Sequence, residues 1–211
     1  PGGRIGVNSD PPRNAEVSFT DIAQRSIWAA GGPITGSGSF MPHDPTDPEH
    51  TQLTGFLGLD ALSVITFGAQ VVDAEVDETT GAVRVHEAWC AHDVGRAVNP
   101  GAVESQIQGG FVQGMGYALT EEMLWEDGRL VNPSFMDYKF PGALEAPDKI
   151  HTVILETPEP THPFGVKGVG EPPLVGAAPA INNAVSAATG LRLKQIPLTP
   201  ERVLRGLLEN S

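Results

Sequence analysis

The stretch PFGVKGVGEPPLVGAAPAINNAVSAATG, residues 163–190, constrains this chain more than any other. Gly165, Gly168 and Gly170 allow positive φ and a close approach of backbone to a neighbour. Pro172 and Pro173 then hold φ near the helical value and need no N–H partner in a first turn. Leu174, Ala177, Ala178, Ile181, Val185 and Ala188 recur at helical spacing, so one face is expected in a core. Gly190 is a C-terminal stop. The expectation is one helix starting at Pro172, with Glu171 on a stiff corner at its N-terminus, beside bare backbone. Such a glutamate has two readings: a cap for the first turn, or a carboxylate aimed at a bound molecule.

A length of 211 residues allows one domain or two small lobes and is ample for a core. The 25 glycines and 19 prolines, set against a hydrophobic content of 40%, describe a loop-rich globular body rather than a disordered one. A net charge of −13 argues against nucleic acid as a partner, because no basic patch offsets phosphate repulsion. The same charge disfavours an anionic membrane surface. Solubility is the simplest use of the acidity. Cys90 is the single cysteine, so no internal disulfide forms, and its apolar surroundings read as core. No leader and no membrane-spanning run is visible, and a cytoplasmic location is expected.

Two regions are expected: an irregular segment over 1–59 and a domain over 60–211. The loop SFMPHDPTDPEH (39–50) carries His43, Asp44, Asp47 and His50, but its three prolines keep them from converging, and no metal site is assigned. Val64–Val76 and Ala82–Asp93 read as a hairpin joined by DETTG, and HTVILET (151–157) as a further strand. A helix starts at Pro100 and reaches about Leu119; DGRL (127–130) is a turn. Thr199-Pro200-Glu201 opens a last helix with a cap, a first-position proline and an early acid. The mixture is α+β, without an internal repeat. No G-x-G-x-x-G follows a strand with a downstream acid, which argues against a dinucleotide-binding fold.

Within the helix after Asn99-Pro100, Gln106, Gly110, Gln113 and Gly114 share one face. Val103, Ile107, Phe111, Met115 and Ala118 form a neighbouring apolar stripe suited to a core. Two amides beside two absent side chains suit a polar heterocycle, since an amide both donates and accepts. They equally suit tight packing of a neighbouring element against the glycines.

Four pieces fall in a telling order: HDVGRAVNP (92–100), QIQGGFVQGMGYALTEE (106–122), NPSFMDYKFP (132–141) and KGVGEPPLVGAAPAI (167–181). With the strand-like run 65–89, they make the chain resemble the molybdenum-cofactor subunit of the xanthine dehydrogenase / aldehyde oxidase family of molybdenum hydroxylases. The resemblance covers roughly residues 60–205, and 1–59 more loosely. It implies the fold of the C-terminal molybdopterin-binding part, mixed sheets with packed helices. It also implies that Gln106 hydrogen-bonds molybdopterin and that Gln113 is a second motif glutamine. The face with Gly110 would meet the cofactor, and Lys167, Gly168, Val169 and Gly170 would pass beside the pterin and the metal. Glu171 matches the family's active-site glutamate, the general base. Arg96 has two readings, a phosphate partner or a brace for Asp93; MDYKFP likewise either supports the site or edges a sheet.

The implied cofactor is molybdopterin, as such or as its cytosine dinucleotide. The pterin dithiolene holds the molybdenum, so no side chain is expected to ligate metal. The implied reaction hydroxylates a carbon of an N-heterocycle or aldehyde with oxygen from water. Electrons leave through iron–sulfur clusters and flavin on partner subunits or domains, since one cysteine holds no cluster. Family subunits are several times longer and carry a Gly-Gln-Gly loop that is not found here. The chain is therefore expected to be a C-terminal portion that works with the remainder of a molybdenum subunit, an iron–sulfur subunit and a flavin subunit. The alternative is a non-catalytic assembly module derived from the same fold.

Overall fold

The computed structural model of the chain describes residues 4–7, 13–28, 35–38, 64–160 and 162–210. The chain divides into two units, Pro1–Met41 and Pro42–Ser211. The loop with His43, Asp44, Asp47 and His50, and the expected boundary near residue 60, lie outside the described residues.

In the first unit, β1 (Arg4–Val7) pairs antiparallel with β2 (Arg13–Ser18), and α1 (Phe19–Trp28) follows. Ser18 Oγ accepts from the Asp21 backbone N–H at 3.0 Å, the bond of an N-cap side chain to its first turn. Residues 4–7 and 13–28 thus hold regular structure where the sequence suggested an irregular segment. Strands of four and six residues are too short to show a clear alternation among the neighbouring glycines and prolines.

In the second unit, alternation builds the sheet. Along β3 (Gly68–Val76), Gln70, Val72, Ala74 and Val76 turn inward while Val71, Asp73 and Glu75 stay exposed. Asp77 closes the turn by accepting from the Thr79 N–H at 2.8 Å, and the chain returns antiparallel as β4 (Val83–Asp93). β5 (Trp125–Glu126) and β6 (Arg129–Leu130) flank Asp127-Gly128, both with positive φ, as the two-residue hairpin turn requires. β7 (Lys149–Leu155) pairs parallel with β4, which gives the order β3-β4-β7. A parallel pair needs a long crossover, and it contains α2 (Pro100–Leu119). Asn99 caps α2 by accepting from the Ala102 N–H at 3.1 Å, with Pro100 in its first turn.

After β7 come a short 3₁₀ turn (Pro163–Gly165), α3 (Pro172–Val175), α4 (Ala177–Thr189) and α5 (Pro200–Asn210). The single helix expected from Pro172 is therefore two helices. Pro179 is the cause. It donates no N–H to the Val175 carbonyl, and its ring would collide with that carbonyl, so the helix breaks at Gly176. Gly190 ends α4 in the left-handed region, φ 75°.

The core forms where α2 and α4 lie on the sheet. Val103, Ile107, Phe111, Met115 and Ala118 of α2 are all buried, with Ile181 and Val185 of α4, Ala88 and Cys90 of β4, and Val203 of α5. Burial pushes the Cys90 thiol up to about 11, so it is a small core side chain and not a reactive one. No helix among the described residues is long and apolar enough to cross a membrane.

Candidate active site at the Glu171 corner

The glycine loop is held from below by the end of β4. Asp93 accepts on Oδ1 from the Gly95 N–H (3.1 Å) and the Thr157 N–H (3.0 Å), and on Oδ2 from Lys167 Nζ (2.6 Å). Each side chain of the Asp93–Lys167 pair is 7% exposed. Burial alone would raise the Asp93 pKa; the Lys167 bond and the two backbone bonds outweigh it and hold the carboxyl below its ordinary range. The Lys167 N–H also donates to the Val94 carbonyl at 2.9 Å. Gly95, at φ 69°, lies directly against the Gly165 carbonyl, where no side chain would fit.

Two readings change here. The partner of Asp93 is Lys167, not Arg96, which is exposed without a partner among the described residues. The Lys167 ammonium is committed to Asp93, so the loop offers the surface its backbone. Gly168 and Gly170 are exposed, whereas Val169 leans on the core. A Cβ on Gly168 would meet nothing within 4 Å.

The α2 face beside this loop sorts its residues by burial. Gly110 is buried, and a Cβ there would lie 2.8 Å from Pro173 Cβ. At Gly114 a Cβ would lie 2.6 Å from both Ala177 Cβ and the Leu174 carbonyl oxygen. These glycines are where α3 and α4 press onto α2. The glutamines stand outside the contact. Gln113 is exposed and donates to the Tyr117 hydroxyl at 3.3 Å. Gln106 is exposed and makes no hydrogen bond among the described residues. Its Oε1 lies 3.8 Å from where a Gly170 Cβ would stand, so the unpaired amide borders the bare loop.

A cavity of about 440 Å³ opens at the corner, lined by Gly68, Gln70, His92, Glu171, Val175 and Gly176, among others. Glu171 is exposed and its side chain caps nothing; its carbonyl accepts from the Leu174 N–H at 3.0 Å. Of the two readings of this glutamate, the side-chain cap is therefore not realised. On the opposite wall, Gln70 Nε2 donates to the Pro173 carbonyl at 2.6 Å and lies 3.1 Å from His92 Nε2. His92 is 3% exposed, and burial lowers its pKa, which disfavours the charged imidazolium. Sequence reasoning missed both residues, although Gln70 is the lone polar residue on the inward face of β3.

The site presents an unpaired amide, bare glycine backbone and an uncommitted carboxylate side by side. Donors and acceptors together suit the edge of a pterin, and the absence of Cβ atoms admits one closely. The chemistry of this donor set fits the cofactor that the motifs imply.

Comparison with known proteins shows the family. The family model described as "Molybdopterin cofactor-binding domain" matches residues 2–147, which include Gln106 and Gln113 but end before the glycine loop. The xanthine dehydrogenase molybdenum-binding subunit of Escherichia coli O157:H7 is 39% identical over 139 residues, 65% of this chain and 18% of that protein. The aldehyde oxidoreductase of Megalodesulfovibrio gigas is 38% identical over 144 residues, 68% of this chain and 16% of that protein. The crystal structure of quinoline 2-oxidoreductase from Pseudomonas putida 86 matches with a TM-score of 0.63 and 39% identity, covering 67% of this chain and 18% of that one. The chain thus spans less than a fifth of the length of these relatives. It belongs to the molybdopterin cofactor-binding domain family, in the xanthine dehydrogenase and aldehyde oxidoreductase group of molybdenum enzymes.

Proposed function

We propose that this chain supplies the cofactor-facing amide and the proton-accepting carboxylate of a molybdenum hydroxylase acting on an N-heterocycle or an aldehyde. The observation that carries the reading is Glu171: exposed, capping nothing, at the mouth of a cavity and beside bare glycine backbone. A general base needs a free carboxylate within reach of the proton it takes, and a capping glutamate would not be free. Gln106 binds and orients the pterin through its unpaired amide. Gly168 and Gly170 let the cofactor lie against the backbone, and the Asp93–Lys167 pair keeps that loop rigid beneath it. Molybdopterin, as such or as its cytosine dinucleotide, supplies two-electron chemistry at its molybdenum when bound. Glu171 takes the proton released as water-derived oxygen is transferred to the substrate carbon, holding it on a carboxylate oxygen.

The remaining parts of the reading are the remainder of the molybdenum subunit, iron–sulfur and flavin subunits that carry electrons away, and a cytoplasmic location. The short span of this chain against its relatives supports the first, and their naming as subunits supports the second.

The test is Glu171→Gln in the assembled enzyme, which keeps size and hydrogen bonding but removes basicity. Molybdenum content is expected to stay at the wild-type level, while reduction of the metal by substrate slows by about 10²-fold or more. Reduction as fast as in wild type would remove Glu171 from the mechanism.

A further inference from the structure

The corner that carries Glu171 has few bonds of its own. Pro172 and Pro173 donate nothing, and α3 lasts only four residues before the break at Gly176. Among the described residues, the side-chain hydrogen bond that ties it to the sheet comes from β3. Gln70 donates from Nε2 to the Pro173 carbonyl at 2.6 Å, two residues beyond Glu171, and the same nitrogen lies 3.1 Å from His92 Nε2.

The chemistry of this trio fixes its proton positions. A carbonyl only accepts, so the amide nitrogen of Gln70, not its oxygen, faces Pro173. Its second hydrogen then points at His92 Nε2, which must accept. The imidazole is therefore the tautomer protonated on Nδ1. That Nδ1 and Gln70 Oε1 are both buried without a hydrogen-bond partner among the described residues. Unsatisfied buried polar atoms cost stability, and such costs persist where function holds them.

The surrounding backbone is cut to fit the pair. Gly68 stands opposite His92 in the β3–β4 register, and a Cβ there would lie 2.6 Å from both Nδ1 and Cε1. Gly176 faces the amide from the other side, where a Cβ would lie 3.0 Å from Gln70 Cδ. An apolar side chain at position 70 would match Val72 and Ala74 and remove the orphaned Oε1, but it would take the donor from the Pro173 carbonyl and from His92 Nε2, so it is these two acceptors that account for an amide there.

We infer that Gln70, locked in its donor orientation by the accepting Nε2 of His92, is a positioning residue that sets where the Glu171 carboxylate stands. The inference rests on Glu171 as the proton acceptor. Gln70 acts through the Pro173 carbonyl, which it holds from the cavity wall.

The test compares Gln70→Leu, His92→Leu, His92→Gln and Glu171→Gln in the assembled, molybdenum-loaded enzyme. Five quantities are read: molybdenum content, kcat, KM, melting temperature, and hydrogen exchange of peptides spanning residues 171–180. Gln70→Leu should keep its molybdenum and its KM, lose about 10- to 100-fold in kcat through misplacement of the base, and exchange faster across 171–180. His92→Leu should behave likewise. His92→Gln places a carbonyl oxygen where Nε2 stood and should recover most of the loss. Should Gln70→Leu not accumulate, the His92→Leu and His92→Gln pair decides by the same readouts. Wild-type kcat and exchange in Gln70→Leu, beside a slow Glu171→Gln, overturns the positioning role and leaves the base intact. A fast Glu171→Gln overturns both.

Discussion

Replacing Gly114 by alanine tests whether the glycines of α2 serve packing or a ligand. The new Cβ would sit 2.6 Å from Ala177 Cβ and from the Leu174 carbonyl oxygen. Carbon atoms in ordinary contact stand about 3.5–4.0 Å apart, so α3 and α4 must retreat by about 1 Å. Overpacking of this kind costs about 1–3 kcal/mol. Neither obstacle is the end of a flexible side chain, which puts the cost near the top of that range. Alanine returns about 1 kcal/mol of helix propensity, for a net loss of about 2 kcal/mol. At about 2–4 °C per kcal/mol for a domain of this size, the melting temperature falls by about 4–8 °C. Gly109→Ala is the control on the same helix: nothing stands within 4 Å of its Cβ, so only the propensity gain remains and the midpoint rises by about 2–4 °C. Circular dichroism melts of the cofactor-free chain measure both. If Gly114→Ala melts at or above wild type, the contact with α3 and α4 is not what this glycine is for.

Gln106→Ala removes an exposed amide with no partner among the described residues, so the cofactor-free melting temperature should be unchanged, while molybdenum occupancy of the assembled enzyme falls by about 5- to 150-fold in affinity, the value of about 1–3 kcal/mol. Metal analysis after dialysis reads this, and full retention removes Gln106 from the cofactor site. Asp93→Asn strands the Lys167 ammonium in a site where each partner is 7% exposed, at a cost of about 3–5 kcal/mol, read by urea unfolding. The folded-state pKa of Asp93 is depressed, so its contribution is present above the ordinary 3.8 and lost as pH falls through the folded value. Urea midpoints against pH should show this acid limb in wild type and a flatter one in Asp93→Asn.

Much of the local structure is legible in the chain. Alternation over 68–76 and 83–93, with Asp77 in the turn, marks the hairpin. Asn99-Pro100 and a five-residue apolar stripe mark α2 from end to end, and Thr199-Pro200-Glu201 marks the start of α5. Each of these signals rests on a cap, a turn or a period within a few residues. The motifs around Gln106 and Glu171 are equally local, and the family is readable from them. Even the break between α3 and α4 is present in Pro179, although the helical spacing around it points to one helix.

The uses of these residues are another matter, because they depend on partners far away in sequence. Lys167 carries a charge that reads as available to a ligand; 74 residues away, Asp93 takes it. Gly110 and Gly114 look the same as a surface left bare for a cofactor until Pro173 and Ala177 arrive against them. Gln70 gains its meaning from His92, 22 residues on, and from a carbonyl 103 residues on. Propensity and periodicity act along a few turns of chain, so the sequence by itself determined the elements and their motifs. Which polar group meets which is decided by register, burial and the close approach of helices, and only the tertiary structure brings those together.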